Sequence, residues 1–264
     1  MLEAATTPRP REPRAALRNR DSLDAELDPF LPSQHPTEPS RRSSVRFDKV
    51  KADPEVQALI RHANQNLGAI GYTEHGFRHV ALVAHIARNI LKTMGFDSRH
   101  QELAAIAAFL HDVGNVVSRN DHARTGAVLA HSILTRLGGD PDDTALVMGA
   151  IGSHEDERHT GDPVHAVSAA LILADKSDVH RSRVRNTDPT SFDQHDRVNY
   201  AATSSRLNVD AEEKSITLVL EIDTALAPVM HYFEIFLPRM LMSRRAAESL
   251  GYAFHITING VTVL

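Results

Sequence analysis

The chain contains no cysteine in its 264 residues. Without a thiol, disulfides, thiolate metal sites and cysteine nucleophiles are all excluded. Long hydrophobic runs are missing as well. No stretch approaches about eighteen consecutive apolar residues and the first thirty positions hold no apolar core of a leader, so neither a membrane helix nor a secretory signal is expected. The compartment expected from this is the cytoplasm. Nor is there a basic excess: the formal net charge of −5 argues against a general nucleic-acid surface, which needs cations to displace phosphate counterions. With 42% apolar and 24% charged residues, a packed core is within reach without covalent staples.

Histidine, by contrast, is abundant. Twelve of the sixteen lie between residues 51 and 180, and neutral imidazole is the commonest metal ligand, so a site is expected in that half of the chain.

Residues 1–50 hold seven of the thirteen prolines with no helical or alternating pattern, which predicts a disordered tail. From Asp53-Pro54 the signals become helical, with Val56, Leu59, Ile60 and Ala63 at helical spacing. Further helices are expected over about 75–94, then from a Ser98/Gln101 capping pattern to Leu110, over 122–137, over 140–152 and over 164–185. Beyond residue 186 the period changes. Strands are expected at 205–209 and 215–222, an amphipathic helix at 226–250 interrupted by Pro238, and a hairpin across Asn259-Gly260. The expected fold is mainly α: a helical bundle over residues 51–190 followed by a small α+β unit over 191–264. The apolar face of 226–250, which includes Met230, Phe233, Ile235, Phe236, Leu237, Met240 and Leu241, is expected to pack on the sheet, with a share of it available to a homodimer interface.

The chemistry is written around the adjacent pair His111-Asp112 at the end of an apolar helix. Alone, such a pair could cap a helix or form a surface ion pair. Together with His79, His122, His154 and Asp175, each in a packing segment, it would leave several unpaired polar groups in a core unless a cation gathers them. Imidazole and carboxylate suit iron, manganese, zinc, cobalt or magnesium. Asp112 has two oxygens and could bridge two ions, with His79, His111 and Asp175 completing one and His122 and His154 the other.

These residues fall in four pieces: Gly76-Phe77-Arg78-His79-Val80, Leu110-His111-Asp112-Val113-Gly114-Asn115, His122-Ala123-Arg124-Thr125-Gly126-Ala127, and Ser153-His154-Glu155 followed by Leu173-Ala174-Asp175. In this order they resemble the HD superfamily of metal-dependent phosphohydrolases, whose signature is H…HD…D. The piece from His122 and the lone His154 before the last Asp are similar to bacterial dinucleoside tetraphosphate hydrolases. The His-Asp-x-Gly piece is similar also to the cyclic-dinucleotide-cleaving HD-GYP branch, from which this chain departs at Asn115, Ser153 and Gly161-Asp162-Pro163.

The resemblance implies an HD-type bundle holding one or two divalent ions. It also implies hydrolysis of a phosphoester or phosphoanhydride in a nucleotide or other small phosphorylated metabolite, by a metal-activated water. An arginine at the same offset from the last Asp in the tetraphosphate hydrolases points to Arg181 as the cation facing substrate, ahead of Arg183, Lys176 and Arg124. Glu155 is the candidate general base or ligand-orienting carboxylate, and Asp112 the central catalytic ligand. Two other readings share the bundle: a di-iron oxygenase, for which Tyr72 and Glu74 stand near the lid positions, and a nucleotide-binding regulatory module without turnover.

Overall fold

The computed structural model describes residues 44–155 and 161–263. Most of the expected tail lies outside them. Where it reaches them, the chain is ordered: Val45 and Val50 are buried and α1 spans Phe47–Ala52, so packing begins before residue 51.

Six further helices build the bundle: α2 (Pro54–Ala69), α3 (Phe77–Thr93), α4 (Ser98–Leu110), α5 (His122–Arg136), α6 (Pro141–Ser153) and α7 (Ala166–Ser177). Their starts follow local chemistry. Asp53 accepts from the backbone of Glu55 and Val56 ahead of Pro54, and Asp140 does the same for Asp142 and Asp143 ahead of Pro141. Asp53 also takes Arg136 of α5 at 2.7 Å and 3.0 Å, so one carboxylate caps one helix and ties it to another. The cap of α4 is Asp97 rather than Ser98, because its carboxylate reaches Arg99 and His100.

The core centres on α7. Every residue of this helix is buried, and it lies against α3, α4, α6 and α9. A helix covered on all sides can be apolar all round, as Ala169–Ala174 is. Residues Leu103–Leu110 of α4 form a second unbroken buried run beside it.

Helix α7 ends at Ser177, eight residues short of the expected boundary, and the chain then makes a 3-10 turn over Arg181–Arg183. A helix α8 (Gln194–Ala201) leads into strands β1 (Ala202–Asp210) and β2 (Ser215–Ile222), which pair antiparallel. Helix α9 (Val229–Ser249) then carries the chain to β3 (Ala253–Ile258), which pairs parallel with β2 from Ser215↔Ala253 to Leu220↔Ile258. The short strand β4 (Val261–Thr262) closes the expected hairpin on β3, with both Asn259 and Gly260 at the positive φ that this turn demands.

The C-terminal unit is docked on the bundle rather than hung from it, since α9 packs on α7 and β1 touches α3 and α7. On α9, Phe236 and Met240 are buried as expected, whereas Met230 and Leu237 are exposed.

Candidate metal centre

The ends of five helices converge. His79 comes from the first turn of α3, His111 from the residue capping α4, His122 from the start of α5, His154 from the cap of α6 and Asp175 from the last turn of α7. Asp112 follows His111 where the α4 helix gives way to a 3-10 turn. All six residues are buried.

Their inward atoms form two overlapping groups. In the first, His79 Nε2 lies 3.4 Å from His111 Nε2, 3.7 Å from Asp112 Oδ2 and 3.4 Å from Asp175 Oδ1. In the second, His122 Nε2 lies 3.3 Å from His154 Nε2 and 3.7 Å from Asp112 Oδ1. Asp112 therefore offers one oxygen to each group.

The orientation of the rings is fixed from behind. His79 Nδ1 donates to Asp178 Oδ2, His111 Nδ1 to the Ala108 carbonyl and His154 Nδ1 to the Ile151 carbonyl, each at 2.7 Å, and His122 Nδ1 donates to the Arg119 carbonyl at 3.1 Å. A carbonyl or carboxylate only accepts, so each Nδ1 carries a proton and each Nε2 is the atom turned inward; on His111, whose pKa is raised, Nε2 is protonated as well, and a cation would displace that proton. Four inward Nε2 atoms thus meet two carboxylates, Arg119 Nη1 lies 3.2 Å from His122 Nε2, and Asp112 Oδ2 is buried without a hydrogen-bond partner. Acceptors crowded together with so few donors fit divalent cations, and these side chains could hold them. The close backbone approach depends on Gly114: a Cβ there would stand 2.0 Å from the His122 carbonyl oxygen, so only glycine lets the His-Asp turn and the start of α5 touch.

Charge follows the same plan. Burial disfavours the charged forms of Asp112 and Asp175, but His111 beside the first and Lys176 beside the second outweigh it and hold both carboxyls well below the usual range. Burial lowers the His111 imidazole too, yet Asp112 and Asp175 lift it to about 9, while burial and the neighbouring His111 and His122 push His154 down to about 3. Asp178, behind His79, is kept acidic against its burial by the His79 hydrogen bond and by Arg183 and Arg78.

Beside this cluster opens a cavity of about 370 Å³. Tyr72, His75, Arg119, Glu155 and Lys176 line its bundle side, and Asn199, Phe236, Arg239 and Met242 its C-terminal side.

Arg181 is not at this cavity. Because α7 stops at Ser177, the turn that follows lays Arg181 over the Tyr200 ring at 5.1 Å and sends Arg183 inward to the Asp178 and Glu74 carbonyls. Arg124 is likewise on the surface, paired with Asp121. Of the named cations, only Lys176 reaches the site. Glu155 does reach it, but its oxygens accept from Arg119 and Lys176, each at 2.7 Å, which makes it a bridge between two cations rather than a free base. Glu74 accepts from the Gly76 N–H and from Arg78, while Tyr72 lines the cavity under Arg119.

Sequence reasoning missed Arg119, Arg239 and the Asp178 support of His79. Asp178, three residues after the last ligand, was the one with a readable cue.

Residues 76–184, the stretch that carries this His-Asp cluster, match the family model described as HD domain. The chain is 27% identical over 161 residues to an uncharacterized protein of Methanocaldococcus jannaschii; the match covers 53% of this chain and 61% of the length of that relative. A crystal structure described as a predicted HD superfamily hydrolase, from an uncultured Thermotogales bacterium, is 28% identical and covers 48% of this chain and 67% of its own, with a TM-score of 0.38.

Proposed function

We propose that the protein is a metal-dependent phosphohydrolase acting on a nucleotide or another small phosphorylated metabolite, with two divalent ions, iron or manganese foremost, between His79, His111, Asp112 and Asp175 on one side and Asp112, His122 and His154 on the other. One observation carries this reading: four imidazoles locked with Nε2 inward around the orphaned Asp112 oxygen. When bound, such ions lower the pKa of a water and draw charge off a phosphoryl oxygen.

The chain's own residues do the rest. Lys176 and Arg119, linked through Glu155, keep positive charge at the cavity floor, where the leaving phosphate needs it. His75 donates from Nδ1 to the Thr73 carbonyl at 2.7 Å, leaving Nε2 as an acceptor beside the cluster, and burial keeps the ring neutral by pushing its pKa well below the ordinary value. It is placed to accept a proton from a substrate hydroxyl or water. Phe236 and Met242 close the far wall with apolar surface, which restricts water at the reacting group.

The test is metal analysis of protein purified without chelator, paired with a phosphate-release screen over nucleotides and sugar phosphates. Bound divalent metal and metal-dependent phosphate release are expected. Oxygen consumption by the iron-loaded protein without any phosphate release would replace this reading with the oxygenase one.

A further inference from the structure

Three cations among the described residues reach the inner end of the cavity, and they are unequally engaged. Arg119 and Lys176 each donate to Glu155 at 2.7 Å, and Lys176 also sits 2.7 Å from Asp175 Oδ2, so each already has a carboxylate partner within the protein. Arg239 is different. Its Nη2 donates to the Asp175 main-chain carbonyl at 3.2 Å, Asp175 Oδ1 lies 4.0 Å away, and its Nε, though shielded from solvent, has no hydrogen-bond partner. A guanidinium has five N–H donors in a rigid fork that matches phosphate oxygens, and most of these are unspent here.

The side chain is also held in place. Its guanidinium rests over the Phe236 ring at 5.3 Å, and that ring is itself buried. Helix α9 is anchored at the site by packing on α7 and by spanning the crossover between the parallel strands β2 and β3. An arginine set beside the last carboxylate of the cluster, on a cavity wall built by the C-terminal unit outside residues 76–184, is placed for an anion that would also touch the metals.

We infer that Arg239 is a substrate-binding residue: its fork takes a phosphoryl oxygen of the substrate, so the C-terminal unit completes a site whose metal ligands all belong to the bundle. The inference rests on the phosphohydrolase reading and adds to it the anchor for the phosphate.

Inorganic phosphate titrated by calorimetry into the manganese-loaded full chain tests it, with metal content and Tm measured on the same samples. Arg239→Ala should weaken phosphate binding about tenfold or more at unchanged metal content, the size expected for losing a hydrogen bond to a charged group. Arg239→Lys should recover part of the loss, since it restores the charge without the fork. Should the alanine variant fold poorly, Arg239→Gln, which keeps a donor for the Asp175 carbonyl, gives the same reading and the same expected weakening. Equal phosphate affinity in wild type and the neutral variants, even with a lowered Tm, would reduce Arg239 to a structural tie and leave the hydrolase reading standing. A wild-type chain that retains no divalent metal would overturn both.

Discussion

The two walls of the cavity differ in how tightly their polar groups are spoken for. On the bundle side each inward side chain has a partner behind it: Asp178 for His79, backbone carbonyls for His111, His122 and His154, Asn115 for Asp112 Oδ1. On the C-terminal side the polar group nearest the cluster, Arg239, keeps most of its donors unused. Rigid support suits ligands that must hold a fixed geometry, and spare donors suit a guest that comes and goes. On the proposed function, the difference would separate where ions are held from where substrate is chosen.

The most severe way to break the contrast is at its centre. Asp112→Ala removes the carboxylate shared by both ligand groups, so metal retention should fall by more than about a hundredfold and phosphate release should vanish, with far-UV circular dichroism near wild type. Full activity in that variant would take the cluster out of the chemistry. Gly114→Ala should act next most strongly: its Cβ meets the His122 carbonyl, so the turn and α5 must part, at a cost of about 3 kcal/mol in urea unfolding. The half of the site built on His122 should lose its metal before the half built on His79.

Asp178→Asn sharpens the contrast instead. The shape survives but the negative partner of His79 does not, and chelator competition should show metal binding weakened roughly 10–100-fold. No change would mean that the ring needs no support from behind.

The smallest effect is in pH, away from the site. His165 caps α7 by accepting the Ser168 N–H on its Nδ1, which requires an unprotonated ring, and burial lowers its pKa below the ordinary 6.5. The unfolded chain then binds the proton more readily than the folded one below pH 6.5, so stability should fall as pH drops through that range and be flat above it. His165→Asn keeps an acceptor without the titration, and the Tm difference between about pH 7.5 and pH 5 should shrink in that variant.

The bundle was legible because its signals are local. Asp53-Pro54 and Asp140-Pro141 announce helix starts by the bonds they form two and three residues on, and the ligands stand in motifs a few residues long. Arg181 was misplaced for a non-local reason. Its offset from Asp175 would put it on the same helix only if α7 continued, and α7 stops where Asp178 turns back to receive His79, Arg78 and Arg183. Arg239 gave no cue at all: in sequence it is one more cation on an amphipathic helix, and its role depends on α9 reaching Asp175 across 64 positions. The strands were visible as alternation, but alternation does not name a neighbour, so the parallel pairing of β2 with β3 appears only once α9 is known to cross between them.

That crossover has a consequence for how the molecule comes into being. A ribosome that has made residues up to Ser177 has already supplied all six residues of the His-Asp cluster, yet the strand that pins α9 lies at Ala253–Ile258. On the proposed reading, the cavity wall that carries Arg239 is therefore the last part of the site to be made, and the cluster would stand without it until the remainder is translated.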